Sequence, residues 1–446
     1  MTMTDETAVQ MQSIRPAHGY RVAVVGLGKI GLPLAAQFAH AGAVVTGCDI
    51  SEEVVRSVNA GRSHIAGEPG LEEHVYHAVA AGRLSATTDT AGAVRHSNVV
   101  VVIVPLVVDE HHNIDYRSID SATSAIAAGL KPDTLVIYET TLPVGTTRTR
   151  LGPALERGSG LKVGRDLWLA FSPERVYSGR IFQDLRQYPK IVGGVTPQST
   201  DRATAFYRAV LEGAEVLPVR DADTAELVKL MEAAYRDVNI ALANVFARLA
   251  AERGLPVDEA IRAANTQPYS HIHRPGIAVG GHCIPVYPYF LINHSDAQEV
   301  RLLTEARRIN DTMAGWALDR LAEALGGLAG RRVLVLGLSY RENVREAAFS
   351  GGPRLIAQLI ERQAVPLIND PLYSPEELVS YGAEPVALQP APRCDAVILQ
   401  AYHDAYKTLE WSRLAGAGCR VVLDGRNALD RRAIEGAGML YMGIGR

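Results

Sequence analysis

Short apolar runs alternate with longer amphipathic stretches through the first half of the chain. The runs are Arg21–Gly26, Val44–Asp49, Val99–Val104, Leu135–Tyr138, Leu167–Phe171 and Lys190–Gly193. Val99–Val104 is almost wholly apolar, as expected for a strand that helices cover on both faces. Strands that alternate with helical stretches predict a parallel, doubly wound sheet. Ahead of them, Met1–Tyr20 is polar and irregular, which indicates a loose tail.

Residues 222–254 follow a different pattern, without proline and rich in Ala, Leu, Glu and Arg. They predict one long helix that ends at Gly254, with Pro256 just beyond it. A helix of roughly thirty residues is ~45 Å long. Such a helix either joins two domains or forms a subunit interface, and the pattern does not choose between them.

A second α/β pattern follows the long helix, with predicted strands at 331–337, 364–369, 396–400 and 420–423. It has no full dinucleotide fingerprint and no evident residue-level repeat of the first half. The expected fold class is α/β, with two doubly wound Rossmann-like domains joined by a long central helix. The expected division is a flexible tail at 1–20, a first Rossmann domain at 21–210, a central helical region at 211–325 and a C-terminal α/β domain at 326–446.

Composition narrows the classes of function. The protein has 446 residues, of which 47% are hydrophobic and 21% charged, with a net charge of −4. These values are ordinary for a globular protein and exclude a disordered chain. The chain has no basic block, so nucleic acid is not an expected partner.

Neither a membrane span nor a secretory signal is expected. The most apolar run, Val99–Val108, is about half as long as the ~20 residues that a spanning helix needs, and it contains Pro105. Asp5 and Glu6 lie in the first twenty residues, which lack the apolar core of a signal peptide. We therefore expect a soluble, cytoplasmic protein with no membrane partner.

The cysteines do not indicate a disulfide scaffold or a zinc site. They lie far apart, without a C-x-x-C pair, and are Cys48, Cys283, Cys394 and Cys419. This usage fits a reducing compartment. No cluster of ligand-type residues suggests another metal, so no metal is expected.

The first predicted strand leads into a dinucleotide-binding motif. Gly26, Gly28 and Gly31 form G-x-G-x-x-G between a strand and a helix, and Asp49 ends the next strand. The glycines allow a tight turn, close approach of a pyrophosphate and close helix packing. A carboxylate at Asp49 accepts from ribose hydroxyls and repels a 2′-phosphate, so NAD is favoured over NADP. The alternative is a glycine-rich structural turn.

Four further segments carry candidate chemistry. Cys283 follows two glycines and is either a covalent nucleophile or a small buried apolar residue. Glu174, and Thr141 in Glu139–Pro143, follow strands at the sheet edge where ligands of α/β proteins bind. Lys229 lies on the long helix beside Glu226 and Glu232, and on local sequence alone an ordinary helical ion pair is the favoured interpretation.

Taken together, these motifs resemble a known family. They occur in order as Gly26–Gly31, Glu68–Leu71, Ser172–Val176, Pro189–Gly194, Glu226–Leu230, Gly280–Cys283 and Asp424–Asn427. Their order and spacing are similar to those of the UDP-glucose/GDP-mannose dehydrogenase family, from about Arg21 to the C-terminus. Residues 236–241 and the Gly-Gly-His-Cys loop look most like the branch that acts on UDP-N-acetylhexosamines, such as UDP-N-acetylmannosamine or UDP-N-acetylglucosamine.

The resemblance implies a four-electron oxidation of the sugar C6 alcohol to a carboxylate, with two NAD⁺ consumed. Cys283 would form a thiohemiacetal and then a thioester, and Glu174 would direct the hydrolytic water. Lys229 would stabilise oxyanion charge or accept a proton, and Thr141 would position water near the nicotinamide. It further implies NAD contacts from Lys29, Ile30, Val104, Pro105 and Thr141. Implied substrate contacts are Glu174, Arg175, Val176, Lys229, Arg236, Asn239, His273, Gly280, Tyr340, Arg341 and Arg426. Asp370 and Arg426 match family positions, and the alternative for both is turn and surface structure.

Three positions depart from the family pattern. Ala233 replaces a usual asparagine, Tyr287 a usual aspartate, and Tyr269 a usual arginine that reaches a neighbouring subunit. Either the site is re-formed in a subgroup, or the protein is a catalytically impaired nucleotide-sugar-binding homologue. UDP-glucose or GDP-mannose 6-dehydrogenase activity also stays open, and a hydroxyacid dehydrogenase is a weaker option. The family further implies a homodimer or higher homo-oligomer built around the long helix, and a role in polysaccharide biosynthesis.

Overall fold

A computed structural model describes residues 17–109, 112–211 and 213–446. The chain divides into two compact units, Met1–Met231 and Glu232–Arg446. Each unit contains a sheet covered by helices, and each is described separately below. The expected α/β class with two Rossmann-like domains is confirmed.

Among the described residues, the sheet of the first unit has eight strands. They are β1 Arg21–Val25, β2 Val44–Cys48, β3 Leu84–Thr87, β4 Val99–Val102, β7 Leu135–Tyr138, β8 Trp168–Phe171, β9 Lys190–Gly194 and β10 Val216–Pro218, while β5 Val107–Val108 and β6 Ile114–Asp115 form a separate two-stranded ribbon. The sheet order is β10-β9-β8-β7-β4-β1-β2-β3. All pairs are parallel except β8 with β9, which is antiparallel.

The predicted parallel, doubly wound sheet is confirmed, with one antiparallel pair, β8 with β9, that the sequence did not indicate. A strand that helices bury on both faces has the same apolar pattern whichever way it runs. Strand direction is consequently not encoded in the local sequence.

The helices of the first unit follow the predicted alternation. They are α1 Gly31–His40, α2 Glu52–Asn59, α3 Leu71–Ala80, α4 Thr90–Arg95, α5 Arg117–Gly129, α6 Gly152–Ser159, α7 Ile181–Gln187, α8 Pro197–Val210 and the start of α9 Ala222–Arg253. α9 has 32 residues and is about 48 Å long. It ends one residue before Gly254, which has φ +65°, so the predicted long helix is present.

The central strand β4 shows why its sequence is continuously apolar. Val99 and Val101 belong to one hydrophobic cluster, and Val100 and Val102 belong to another. Successive side chains of a strand point to opposite faces. Helices cover both faces, so every position of β4 is buried.

The last four residues of the expected tail pack onto the first unit. Ala17 is fully buried and donates from its backbone N to the carbonyl of Ala41 at 3.4 Å. The ring of Tyr20 meets Phe206 edge to face at 5.3 Å. A loose tail extending to residue 20 was thus wrong for residues 17–20, where apolar contacts hold the chain, and residues 1–16 lie outside the described part.

The second unit has six described strands, all parallel, in the order β13-β12-β11-β14-β15-β16. They are β11 Arg332–Leu336, β12 Val365–Asn369, β13 Glu384–Pro385, β14 Ala396–Leu399, β15 Val421–Asp424 and β16 Leu440–Gly443. Besides the rest of α9, its helices are α10 Val257–Ala264, α11 Pro288–Ile292, α12 Arg301–Asp311, α13 Met313–Leu325, α14 Gly351–Glu361, α15 Pro375–Val379, α16 Trp411–Gly416 and α17 Arg431–Gly436. No helix among the described residues has the length and apolar character needed to cross a membrane.

Candidate active site

The loop between β1 and α1 has the geometry of a phosphate-binding turn. Gly26 has φ +94°, and a Cβ there would lie 2.8 Å from the carbonyl oxygen of Ile103. A Cβ on Gly31 would lie 1.8 Å from the carbonyl oxygen of Gly26. A Cβ on Gly28 would have no described atom within 4 Å. The outer two glycines are therefore required by the fold, whereas Gly28 leaves open space for a ligand.

Asp49 lies beside this loop at the end of β2. Its carboxylate accepts from the backbone N of Leu27 at 3.0 Å and from that of Ser51 at 2.9 Å. These two bonds leave lone pairs for further donors such as ribose hydroxyls. The open space at Gly28, the start of α1 and the held carboxylate fit a dinucleotide. The alternative of a purely structural glycine turn does not explain the open space.

The other predicted cofactor contacts surround the same sheet edge. Lys29 is exposed and Ile30 half-buried at the start of α1; beyond β4, Val104 is half-buried and Pro105 is exposed. The hydroxyl of Thr140 donates to the carbonyl of Val104 at 2.7 Å, which ties the ends of β4 and β7 together. Thr141, the next residue, is 8% exposed.

Glu174 and Lys229 meet beyond β8. The ammonium of Lys229 donates to the backbone carbonyl of Glu174 at 2.5 Å. One carboxylate oxygen of Glu174 accepts from the backbone N of Arg175 at 2.6 Å and of Val176 at 3.0 Å. The structure therefore brings together two groups that the sequence analysis named separately.

Glu226 explains why Lys229 does not form the ordinary helical ion pair. The buried carboxylate of Glu226 accepts from the backbone N of Gly145 at 2.5 Å and from the N and Oγ1 of Thr147 at 2.8 and 2.6 Å. Burial raises the pKa of Glu226 to about 7 against these hydrogen bonds. Because Glu226 anchors the β7–α6 loop, Lys229 is directed to Glu174 instead.

Sequence reasoning missed three buried polar residues beside Glu174. Lys190 donates to Glu139 at 2.7 Å and to Glu174 at 2.9 Å, and the hydroxyl of Tyr207 donates to Glu139 at 2.5 Å. The signal was available, because Lys190 begins a strand that is otherwise apolar or glycine, and Glu139 follows an apolar one. A charge in such a position requires a buried partner.

In the second unit, the loop that carries Cys283 packs on the segment after β11. A Cβ on Gly280 would lie 2.6 Å from the Cβ of Tyr340, and Gly281 has φ +93° with its Cβ position 3.1 Å from the same ring. The imidazole of His282 is 3.3 Å from the carboxylate of Glu346. Cys283 itself is an exposed free thiol. The alternative of a buried apolar cysteine is therefore wrong for Cys283, whereas Cys48, Cys394 and Cys419 are buried.

Arg426 lies in the turn after β15, in line with the alternative of turn structure, but it is half-buried rather than on the surface and joins two loops. Its Nε donates to the carbonyl of Gln400 at 2.5 Å and one Nη to that of Tyr340 at 3.0 Å. Burial lowers the pKa of Arg426. Arg341 extends over the ring of Tyr340, 5.9 Å from its centre. Tyr340, Arg341 and Arg426 thus lie together beside the Cys283 loop.

Asn239 and His273 also meet in the second unit. The amide of Asn239 donates to the carbonyl of His271 at 2.7 Å and accepts from the backbone N of His273 at 2.8 Å. Burial, followed by the charge of Arg236, lowers the pKa of His273. A neutral imidazole is consequently favoured there.

The three departures from the family pattern have distinct surroundings. Ala233 is buried in α9. Tyr287 is half-buried, its backbone N donates to the carbonyl of Cys283 at 2.9 Å, and its ring centre is 5.4 Å from that of Phe290. Tyr269 is 89% exposed. None of them supplies the amide, carboxylate or guanidinium of the family pattern.

Asp370 marks a residue-level similarity between the two units that the sequence did not reveal. The backbone N of Leu338 donates to Asp370 at 2.7 Å, as that of Leu27 donates to Asp49. Asp370 is buried and also contacts His403 at 3.1 Å, whose other ring nitrogen accepts from Asn343 N at 2.9 Å. Burial opposes ionisation, but His403 and the backbone donors outweigh it, and the pKa of Asp370 is lowered. Its carboxylate is therefore an internal acceptor in the second unit.

Within residues 17–109, 112–211 and 213–446, no group of three or more His, Cys, Asp or Glu side chains is arranged to hold a metal ion. The described residues thus provide a dinucleotide-binding loop, a glutamate, Glu174, in contact with two lysines, and an exposed thiol.

Comparison with known proteins agrees with this combination. Models of the NAD binding domain, central domain and UDP binding domain of the UDP-glucose/GDP-mannose dehydrogenase family match residues 20–211, 223–312 and 334–431. The chain belongs to the UDP-glucose/GDP-mannose dehydrogenase family. It is an NAD-dependent dehydrogenase of nucleotide sugars, and NAD is its cofactor.

Individual relatives cover almost the whole chain. It is 37% identical to UDP-N-acetyl-D-mannosamine dehydrogenase of Pyrococcus horikoshii, over 96% of this chain and 99% of that protein. It is 35% identical to NDP-N-acetyl-D-galactosaminuronic acid dehydrogenase of Ralstonia solanacearum, over 91% and 95%. The solved structure of the UDP-D-ManNAc dehydrogenase from Pyrococcus horikoshii superimposes with a TM-score of 0.84, at 34% identity, covering 96% of this chain and 99% of that one.

Proposed function

We propose that this protein oxidises the C6 alcohol of a UDP-N-acetylhexosamine, UDP-N-acetylmannosamine or UDP-N-acetylglucosamine, to the uronate. The observation that carries the proposal is the similarity, over 96% of the chain, to a UDP-N-acetyl-D-mannosamine dehydrogenase. The exposed thiol of Cys283 and the Glu174–Lys229 contact supply the groups that a four-electron oxidation needs.

NAD⁺, when bound, accepts the hydride in each of two oxidation steps, so two NAD⁺ are consumed per sugar. Lys229 stabilises the alkoxide or takes its proton as the alcohol becomes an aldehyde. The thiol of Cys283 adds to the aldehyde carbon, and the resulting thiohemiacetal is oxidised to a thioester. Glu174 accepts a proton from the water that hydrolyses the thioester, and Thr141 orients water near the nicotinamide.

The proposed binding roles follow the two sheets. Gly26, Gly28, Gly31 and Asp49 hold the dinucleotide at residues 21–210, with the neighbouring contacts named above. Residues 326–446 hold the UDP moiety, where the arginines beside Tyr340 pair with the diphosphate. The central region 211–325 contributes Lys229 and Cys283, and Arg236, Asn239 and His273 remain predicted substrate contacts.

A second candidate rests on Ala233 and Tyr287. A homologue that binds nucleotide sugars without completing the oxidation would retain the fold but lack an oxyanion donor and a carboxylate at these two positions. The loss of one oxyanion donor costs ~3 kcal/mol, or a factor of roughly 10²–10³ in rate. NAD-linked turnover with any UDP-sugar excludes this candidate.

The test is a screen for NADH formation with UDP-GlcNAc, UDP-ManNAc, UDP-glucose and GDP-mannose. We expect the highest kcat/KM with a UDP-N-acetylhexosamine and two NADH per uronate. Cys283→Ser should release no uronate, and its Tm should stay within about 2 °C of the wild type because the thiol is exposed. One NADH per sugar with free aldehyde would contradict the four-electron reaction.

The assembly proposed is a homodimer built on α9. In the second unit, one side of this helix exposes large apolar side chains at Tyr235, Leu242, Phe246 and Leu249, by 55%, 44%, 37% and 46%. Their spacing of seven, four and three residues is that of a single helical stripe. Leu242→Glu with Phe246→Glu should convert the dimer to a monomer in sedimentation at micromolar concentration, whereas a monomeric wild type contradicts the assembly. The proposed location is the cytoplasm, and the proposed pathway is polysaccharide biosynthesis.

A further inference from the structure

Four polar side chains form a buried cluster beyond the sheet edge of the first unit. Glu139 follows β7, Glu174 follows β8, Lys190 begins β9 and Tyr207 lies on α8. Glu139, Lys190 and Tyr207 are at most 5% exposed, and the side chain of Glu174 is 11% exposed. Lys190 contacts both carboxylates, at 2.7 and 2.9 Å. A single ammonium therefore serves two carboxylates, one of which is the proposed base.

The charge of this cluster does not balance if both carboxylates are ionised. One lysine and two carboxylates would leave a net negative charge in a site sheltered from water, which is costly. Burial raises the pKa of Glu139 to about 7, although Lys190 and Tyr207 act in the opposite direction. Burial also opposes ionisation of Glu174, but Lys190, a hydrogen bond with the Glu139 side chain and the backbone N of Arg175 outweigh it and lower the pKa of Glu174. Near neutral pH, the shared proton is thus held by Glu139.

The other charged and titratable groups near the cluster each have hydrogen-bond or ion-pair partners, or line the cavity beside it. Lys229 contacts the backbone carbonyl of Glu174 rather than its carboxylate. The titratable groups that line the small cavity beside Glu174 and Lys190 are Arg175, Asp184 and Tyr188. Asp184 accepts from the backbone N of Tyr177 and pairs with Arg180. Arg175 donates to the carbonyl of Pro189.

We propose that Glu139 is a positioning residue that acts through Lys190 on Glu174 during thioester hydrolysis. The inference rests on the proposed function, since Glu174 is the base of that step. In the step, water adds its oxygen to the thioester carbon and passes one proton to Glu174. The C–S bond breaks, the thiolate takes up a proton, and the acid product and Glu174 each release one. The net change is loss of the thioester and water, and gain of thiol, carboxylate and one proton.

Glu139 is suited to this step because it compensates charge. When Glu174 becomes protonated, Lys190 loses one counter-charge, and ionisation of Glu139 restores it. The ammonium is then never left without a carboxylate partner. Tyr207, which donates to Glu139 at 2.5 Å, keeps that carboxylate oriented toward Lys190. A purely structural cluster would affect stability but not the pH dependence of hydrolysis.

Glu139→Gln tests the proposal because it keeps the shape and a hydrogen-bond donor but cannot ionise. Lys190 then pairs with Glu174 alone, and ionisation of Glu139 can no longer compensate protonation of Glu174, so the pKa of Glu174 should fall by about one unit. We expect the acid limb of the kcat–pH profile to move down by about one pH unit. A weaker base should slow hydrolysis by roughly three- to tenfold, with covalently modified enzyme accumulating in intact-mass spectra and KM little changed.

Glu68→Gln is the matched control. Glu68 is a buried carboxylate of the same unit that accepts from the backbone N of Gly179 and Ile181, with no lysine in these hydrogen bonds. The same isosteric change there should leave the acid limb in place. Adding Lys190→Met to Glu139→Gln removes the remaining charge next to Glu174, so the acid limb should return toward higher pH. An unmoved limb in Glu139→Gln, with only a lower Tm, would overturn the proposal.

A substrate-free measurement separates this proposal from the proposed function. Infrared or carbon NMR titration of protein labelled with ¹³C at the glutamate carboxyls should show two carboxyls titrating near pH 7, those of Glu139 and Glu226. Only the Glu139 signal should be absent in Glu139→Gln. The Glu174 signal, identified by its loss in Glu174→Gln, should shift to lower pH in Glu139→Gln. If no nucleotide sugar is oxidised while these shifts occur, the proposed function fails and the coupling stands. If neither shift occurs, the coupling itself is refuted, whether or not the protein turns over.

Discussion

Gly31→Ala and Gly28→Ala should separate the structural and ligand-binding roles of the glycine loop. A Cβ on Gly31 would lie 1.8 Å from the carbonyl oxygen of Gly26, while real Cβ contacts essentially never fall below 3.0 Å. The first turn of α1 or the loop must therefore move by about 1 Å, since both atoms belong to the backbone or are fixed to it. Overpacking of this kind costs about 1–3 kcal/mol.

The expected effect on stability differs between the two positions. A cost of about 2 kcal/mol should lower the Tm of a unit of this size by roughly 4–8 °C in Gly31→Ala. Gly28→Ala meets no described atom within 4 Å, and alanine restricts the unfolded chain, so the free energy of unfolding should be unchanged or higher by up to ~1 kcal/mol.

The assays are calorimetric unfolding of the ligand-free protein and titration with NAD⁺. Gly28→Ala should weaken NAD⁺ binding at least tenfold, about 1.4 kcal/mol, because its methyl group occupies the open space of the loop. Gly31→Ala should lower both stability and NAD⁺ affinity. The reasoning is refuted if Gly31→Ala unfolds at the wild-type temperature, or if Gly28→Ala binds NAD⁺ as tightly as the wild type.

Three further substitutions test other parts of the structure. Lys229→Met removes the ammonium that contacts Glu174. It should lower kcat by a factor of roughly 10²–10³ with a small change in KM, as measured by steady-state NADH formation. An unchanged kcat would show that Lys229 has no part in the mechanism. Asp49→Asn reduces repulsion of a 2′-phosphate and should narrow the preference for NAD⁺ over NADP⁺ by about tenfold or more in kcat/KM; an unaltered ratio would contradict the role of Asp49. Arg307→Met leaves the buried carboxylate of Asp237 without its 2.7 Å ion pair. The free energy of unfolding, measured with denaturant, should fall by about 3–5 kcal/mol. Adding Asp237→Asn should recover part of that loss if the unpaired charge is the cause.

The dinucleotide loop was predictable because its steric requirements involve residues that are close together in the sequence. Gly26, Gly28 and Gly31 lie within six residues. Gly26 allows the tight turn, Gly28 leaves space for a ligand, and Gly31 allows the helix to start close to the loop. The strand–loop–helix pattern already implies these three requirements. Asp49 follows at the end of the next strand, and parallel neighbours bring their carboxyl ends to one edge. The reaction class was implied by the resemblance of such motifs, taken in order along the chain, to those of a known family.

The long-range partners were not predictable in the same way. Lys190 contacts Glu139 and Glu174 across 51 and 16 residues of sequence, and nothing in a local pattern states which strand ends will be adjacent. The antiparallel direction of β9, the burial of Ala17 and the position of Arg426 depend on packing for the same reason.

By itself, the sequence therefore determined two α/β sheets with a long helix between them in the chain, the dinucleotide loop and the candidate nucleophile Cys283. Short-range periodicity and steric requirements suffice for the sheets, the helix and the loop, whereas the role of Cys283 as nucleophile was implied by the family resemblance. Only the tertiary structure decided that Glu226 is bound to backbone amides, that Lys229 turns to Glu174, and that one ammonium is shared by two carboxylates. Such choices are set by the cost of burying a charge without a partner, and that cost exists only once the strands have been brought together.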